Sequence, residues 1–110
     1  MKYSNSINKA LDQLLNKHKD LYILGEDILD PYGGAFKITK NLSTKYKDKI
    51  ISTPISESAI VGLSAGLAME GFIPYVNTIA TFITRRCFEQ IVVDLCLHDL
   101  PVKLIGNGGG

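Results

Sequence analysis

One carboxylate stands where it could do acid–base chemistry. Glu57 lies shortly after the run Ile50–Thr53, which is typical of a short buried strand, and opens a stretch of small and apolar residues that carries no further charge until Glu70. The preceding Ser56 is a good helix N-cap, so the pattern predicts a buried strand, a tight turn and a helix that begins at Glu57. Parallel α/β sheets place reactive groups at such junctions. The alternative is that Glu57 only complements the helix dipole.

The elements that would position this carboxylate follow from apolar periodicity. Helices are predicted at residues 6–17, 35–46, 57–70 and 83–98, and strands at 21–24, 50–53, 74–77 and 101–105. Short apolar strands that alternate with helices favour a parallel sheet covered on both faces, which makes this an α/β chain. Its 110 residues allow a single domain, 1–110.

Composition excludes several classes of partner. The net charge is +1, from 12 basic and 11 acidic residues, so no electrostatic field favours nucleic acid or an anionic membrane. The start of the chain is polar, and the most apolar stretch, 59–69, is too short to cross a bilayer. These features predict a soluble, cytoplasmic chain.

The cysteines and the terminal glycines give further expectations. Cys87 and Cys96 lie nine residues apart on one predicted helix, so we expect them on opposite sides, both buried and unable to form a disulfide. The glycines at 108–110 directly follow a predicted core strand. A partner, or the rest of a larger domain, would then cover the sheet. As a phosphate-binding signal these glycines are weak, because neither a helix nor a Lys-Ser/Thr pair follows them.

Several motifs in order resemble one enzyme family. LGED at 24–27, DPYGGAFK at 30–37 and TPISE at 53–57 resemble the β subunit of the E1 component of 2-oxoacid dehydrogenases. ATFITRR at 80–86, followed by Glu89-Gln90, is closer to transketolase and deoxyxylulose-phosphate synthase. These groups share the pyrimidine-binding domain of thiamine diphosphate enzymes, and the resemblance covers about 21–110. It implies a three-layer parallel sheet flanked by helices, here incomplete at its C-terminus.

The resemblance also implies roles for individual residues. The glutamate that ends the TPISE-type motif, here Glu57, bonds N1′ of the cofactor's aminopyrimidine, and this makes the 4′-amino group a base toward the thiazolium C2. Phe82 matches an aromatic ring that stacks on the aminopyrimidine, the alternative being plain core packing. Ile79 and Ile55 match further cofactor contacts. Arg85 matches a basic residue that contacts a sugar phosphate, the alternative being a salt-bridged helix arginine.

What the sequence lacks points to a partner. No Gly-Asp-Gly followed at a distance by Asn is present, and that is the family's motif for Mg²⁺ and the diphosphate. His18 and His98 match no family role. The resemblance therefore implies one part of a split enzyme, inactive alone. An α-type subunit would hold Mg²⁺ and the diphosphate, and a homodimeric contact is expected as well.

Such an enzyme would transfer a two-carbon or acyl unit from a 2-oxo acid or a ketose. Two alternatives stay open at this point. One is a noncatalytic α/β interaction module derived from the same fold. The other is an unrelated nucleotide-binding α/β domain, although no phosphate loop supports it.

Overall fold

A four-stranded parallel sheet forms the centre of the computed structural model, which describes residues 2–110. Its strands are β1 (Leu21–Glu26), β2 (Ile50–Thr53), β3 (Ile73–Ile79) and β4 (Lys103–Asn107), in the spatial order β2-β1-β3-β4. Every neighbouring pair is parallel. All four predicted strands are present, and the α/β fold class is confirmed.

Helices cover both faces of this sheet. The helices are α1 (Tyr3–Lys17), α2 (Leu42–Lys45), α3 (Glu57–Met69), α4 (Ala80–Thr84) and α5 (Phe88–Gln90), with a π-helical segment at Ile91–Cys96. Leu11 and Leu15 of α1 pack with Leu21 and Ile23 of β1 in one core cluster. The other cluster joins Leu24 to α3 and the later helices. Because successive residues of a strand point to opposite faces, β1 is apolar on both sides, as a central parallel strand requires.

The segment predicted as a helix at 35–46 is mostly not helical, so that prediction is wrong. Only a 3₁₀ turn at Ala35–Lys37 and the single turn of α2 form there. Phe36, Lys37 and Asn41 have φ values of 58°, 61° and 68°, in the left-handed region that interrupts an α-helix. Phe36 is therefore 63% exposed instead of packing in the core.

The single long helix predicted at 83–98 is also wrong. The chain turns at residues 85–87, between α4 and α5, and then continues as the π-helical segment. This break changes which side chains face the core. Cys87 is buried as expected, but Phe88, Val92 and Cys96 are exposed. Both cysteines are free, as predicted.

Asp30 holds the loop that follows β1. Its Oδ1 accepts a hydrogen bond from the backbone N–H of Asn41 at 2.7 Å. Its Oδ2 accepts hydrogen bonds from Ser43 Oγ at 2.8 Å and from the N–H and Oγ1 of Thr44 at 3.0 and 2.8 Å. Burial acts to raise the pKa of Asp30, but these hydrogen bonds together outweigh it and lower the pKa to about 2.

We expect Asp30→Asn to make the free energy of unfolding less dependent on pH. Because the folded-state pKa of Asp30 lies below its usual value of 3.8, the ionised side chain stabilises the fold at higher pH, and this contribution is lost as the pH falls from about 4 to about 2. Urea denaturation at pH 7 and pH 2.5 is the measurement. The wild type should be more stable than the variant at pH 7, with the difference shrinking at pH 2.5. An equal difference at both pH values would contradict this role.

The close approach of β1 and β3 gives a second stability prediction. A Cβ atom on Gly25 would clash with the backbone oxygen of Asn77, whereas one on Gly62, inside α3, would meet nothing within 4 Å. Gly25→Ala should lower the free energy of unfolding by about 1–3 kcal/mol, the usual cost of overpacking. Gly62→Ala is the control and should raise it by about 0.5–1 kcal/mol. Two variants with the same denaturation midpoint would contradict the predicted contrast.

Candidate functional site

A cleft of about 180 Å³ opens at the carboxyl edge of the sheet. Its walls come from the ends of β1, β3 and β4, the start of α3, α4 and the loop after β1. The residues that line it are Glu26, Asp27, Tyr32, Ala35, Ile55, Glu57, Asn77, Thr78, Ile79, Phe82 and Asn107. Open parallel sheets bind their ligands outside the carboxyl ends of their strands, so this cleft is the place where the fold favours a site.

Glu57 lies in the cleft as a buried carboxylate. It is the first residue of α3 and is only 5% exposed. Ser56 occupies the N-cap position as predicted, but its side chain makes no capping hydrogen bond. Within residues 2–110, the Oε1 atom of Glu57 has no hydrogen-bond partner. A buried acceptor left unpaired costs about 1–3 kcal/mol, so a ligand that donates a hydrogen bond here would relieve that cost.

Arg86 connects Glu57 to the aromatic side of the cleft. Its Nη1 lies 3.7 Å from Oε1 of Glu57, which is too long for a hydrogen bond, and its side chain is more than half exposed. The guanidinium carbon lies 4.1 Å from the centroid of the Phe82 ring, in cation–π contact. Arg86 was not among the residues predicted for the site, because it lies in the turn after α4, where the sequence predicted a continuous helix.

Four of the five predicted site residues come together. Glu57, Phe82, Ile79 and Ile55 all line the cleft, with Ile55 75% exposed at its rim. Arg85 is exposed and does not line it. Arg85 also forms no ion pair with any residue between 2 and 110. The alternative interpretation, a salt-bridged helix arginine, therefore has no acidic partner in that range.

The floor of the cleft carries polar groups that sequence reasoning missed. Asn77 and Asn107 are 1% and 3% exposed, and neither atom of either carboxamide has a hydrogen-bond partner in the part of the chain that the structure describes. Oε2 of Glu26 is also unpaired there, while its Oε1 accepts a hydrogen bond from Thr78 Oγ1. The signal in the sequence was a polar residue at the carboxyl end of each apolar strand.

The size and lining of the cleft fit one flat heterocyclic ring. An apolar cavity of about 150 Å³ holds benzene in another protein, so about 180 Å³ is enough for a six-membered ring. The aromatic face of Phe82 would contact the face of such a ring. The unpaired carboxylate oxygen of Glu57 would contact its edge. Residues 2–110 contain no group of three or more His, Cys, Asp or Glu side chains that could hold a metal ion.

Comparison with known proteins identifies the family. The family described as "Transketolase, pyrimidine binding domain" matches residues 1–110, the whole of this sequence. The chain belongs to that family. This pyrimidine-binding domain thus has the fold and the family that its motifs indicated.

Relatives of the domain are parts of multi-subunit enzymes. It is 32% identical over 113 residues to "Pyruvate dehydrogenase E1 component subunit beta" of Cyanidium caldarium, covering 94% of this chain and 34% of that protein. It is 36% identical over 95 residues to "Acetoin:2,6-dichlorophenolindophenol oxidoreductase subunit beta" of Cupriavidus necator, covering 78% of this chain and 28% of that protein. The domain therefore spans about a third of the length of the curated relatives it matches.

A solved structure confirms the fold independently. "Split gene transketolase, inactive beta4 tetramer" superposes with a TM-score of 0.79 at 26% identity, over 93% of this chain and 32% of that one. Within residues 2–110 of the pyrimidine-binding domain, no helix combines the length and the apolar character needed to cross a membrane.

Proposed function

We propose that this chain forms the pyrimidine-binding side of a split thiamine diphosphate-dependent enzyme. The enzyme would transfer a two-carbon or acyl unit from a 2-oxo acid or a ketose. The observation that carries this proposal is the buried, unpaired carboxylate oxygen of Glu57, in a cleft of ring size that the Phe82 ring also lines.

Each residue of the cleft has a distinct role in this proposal. Glu57 would hold a proton at N1′ of the aminopyrimidine. Because its carboxylate is buried at the start of a helix, this interaction would have a fixed direction. Phe82 would stack on the ring, and Ile79 and Ile55 would exclude water from its edges. When bound, thiamine diphosphate supplies a thiazolium that accepts electrons from the bond being broken. Arg86 is exposed enough to turn away from Glu57 into solvent when the ring enters.

The enzyme would need a second kind of subunit. We propose that an α-type subunit with a Gly-Asp-Gly motif holds Mg²⁺ and the diphosphate, and that this chain is inactive without it. Relatives named as β subunits, and one from a split-gene transketolase, support this arrangement. A homodimeric contact is proposed too, in keeping with the β4 tetramer of that transketolase. A cytoplasmic location stays a prediction, since relatives from Dictyostelium discoideum and Homo sapiens are named as mitochondrial.

Replacement of Glu57 tests the proton-transfer role. In the enzyme assembled with its α-type partner, Glu57→Gln should lower kcat by about 10²–10⁴-fold, because an amide cannot exchange a proton with N1′. The melting temperature should change little, since a carboxylate at a helix start contributes only about 0.3–1 kcal/mol. Glu70→Gln, at the other end of the same helix, is the control and should keep full activity. A Glu57 variant with more than about a tenth of the wild-type rate would exclude the proposed role.

Titration calorimetry with thiamine diphosphate and Mg²⁺ tests the whole proposal. We expect tight binding by the assembled enzyme and none by the 110-residue chain alone. Phe82→Ala should weaken the affinity of the assembled enzyme by about two- to tenfold, the usual contribution of one ring stack. Phe72→Ala is the control, because Phe72 makes an edge-to-face contact with Tyr22 and does not line the cleft. It should lower the melting temperature without changing the affinity.

Two results of this titration would be decisive against the proposal. An assembled enzyme that fails to bind the cofactor would overturn the function. Micromolar binding by the isolated chain would show instead that the partner is unnecessary for holding the cofactor.

A further inference from the structure

A row of exposed apolar side chains runs along α5 and the π-helical segment, away from the cleft. Phe88 and Leu97 are 70% and 75% exposed, and Val92 and Val93 are each 43% exposed. Cys96 is exposed beside them, and none of these residues lines the cleft. We call the five residues the exposed stripe. Exposed apolar residues on a soluble protein are normally scattered singly, so a contiguous row indicates a contact surface.

The π-helical geometry produces the exposed stripe. The backbone N–H of Leu97 donates a hydrogen bond at 2.9 Å to the carbonyl oxygen of Val92, five residues earlier. In such a segment, residues four and five positions apart lie on the same side. The stripe has these spacings, since Val92, Val93 and Leu97 follow Phe88 by four, five and nine residues. In a regular α-helix, Leu97 would point about 180° away from Phe88.

The residues of the exposed stripe are arranged symmetrically along the chain. Phe88 lies as far before the point between Val92 and Val93 as Leu97 lies after it. A second copy that packed antiparallel about this point would place its Leu97 against Phe88 and its Val93 against Val92. A two-fold contact between identical chains requires a self-complementary surface, and the stripe is one.

Charges of opposite sign flank the exposed stripe. Arg86 precedes it and Asp99 follows it, and these two residues are also equidistant from the point between Val92 and Val93. Asp99 forms no ion pair within residues 2–110, and the 3.7 Å contact of Arg86 with Glu57 leaves the arginine more than half exposed. An antiparallel copy would therefore bring an arginine beside an aspartate at both ends of the stripe, and such charge complementarity favours one register over others.

We propose that a second copy of this chain docks antiparallel on the exposed stripe, across a two-fold axis between Val92 and Val93. This inference rests on the homodimeric contact of the proposed function and names the surface that makes it. A stable contact buries about 800 Å² on each partner, so the stripe would form its apolar centre and the flanking charges its rim. Packed helices lie about 8–10 Å apart, which brings side chains next to the axis within reach of each other.

Cysteine crosslinking of the full chain tests the position of the axis. In a Cys96→Ser background, Val92→Cys places a thiol beside the axis, where it meets the same thiol of the other copy. Mild oxidation should link most chains into dimers, because a disulfide forms readily between Cα atoms less than about 7 Å apart. Tyr3→Cys in the same background is the control and should give no dimers. Tyr3 is exposed on α1, which packs on the other face of the sheet.

Sedimentation velocity of the full chain tests the strength of the contact. Leu97→Ser should raise the dimer dissociation constant by about tenfold or more, because apolar anchors at the centre of an interface carry most of its binding energy. Asp99→Asn should raise it by about two- to fivefold, as expected for a charge pair at a rim. Tyr3→Ser is the control and should leave it unchanged. The melting temperature of the Leu97 variant should stay close to that of the wild type at concentrations where both are monomeric, since this side chain is mostly exposed.

Other outcomes would overturn the inference, and they are separable from failure of the proposed function. A dimer that survives Leu97→Ser and is not linked through Val92→Cys would show that another surface makes the contact. Weaker binding of the α-type subunit by Leu97→Ser, with self-association unchanged, would assign the exposed stripe to that subunit. A full chain that stays monomeric would refute the homodimeric contact as well. Only an assembled enzyme that binds no thiamine diphosphate would refute the cofactor-binding function itself.

Discussion

Parallel pairing of the strands is the constraint on which the rest of the molecule depends. Because β1, β3 and β4 run in one direction, their carboxyl ends meet at one edge, and helices cover both faces. The polar side chains near these strand ends therefore line one cleft at that edge. Gly25 brings the backbone of β1 so near to β3 that no side chain fits between them. This packing leaves the cleft bounded by strand ends and helix starts.

The core and the cleft follow opposite physical rules. In the two core clusters, apolar side chains such as Ile23 and Val76 are completely buried and make the fold stable. In the cleft, Glu57, Asn77 and Asn107 are nearly as buried, but Oε1 of Glu57 and both carboxamides lack hydrogen-bond partners within residues 2–110. Such groups oppose folding unless a ligand or water pairs with them. Buried polar groups without partners are expected at functional sites, where a protein loses some stability in exchange for ligand binding.

Sequence reasoning succeeded where a local pattern and the tertiary fold agree. The strands and α3 have apolar periodicity strong enough to predict them, and the cap-and-carboxylate pattern at Ser56 and Glu57 located the start of α3. It failed at 35–46, because distant hydrogen bonds to Asp30 and left-handed residues determine that backbone. It also missed Asn77 and Asn107, since only the register between β3 and β4 brings them together.

The position of Arg86 shows how the broken helix affects the site's electrostatics. A continuous helix over 83–98 would begin after Phe82, whereas α4 begins at Ala80 and carries Phe82 within it. The chain then turns before α5, and in this arrangement Arg86 contacts both the ring of Phe82 and the carboxylate of Glu57. An ion pair with one exposed partner is weak, so Arg86 balances the charge of Glu57 but does not hold the carboxylate firmly in place. The carboxylate thus stays available to a better hydrogen-bond donor that enters the cleft.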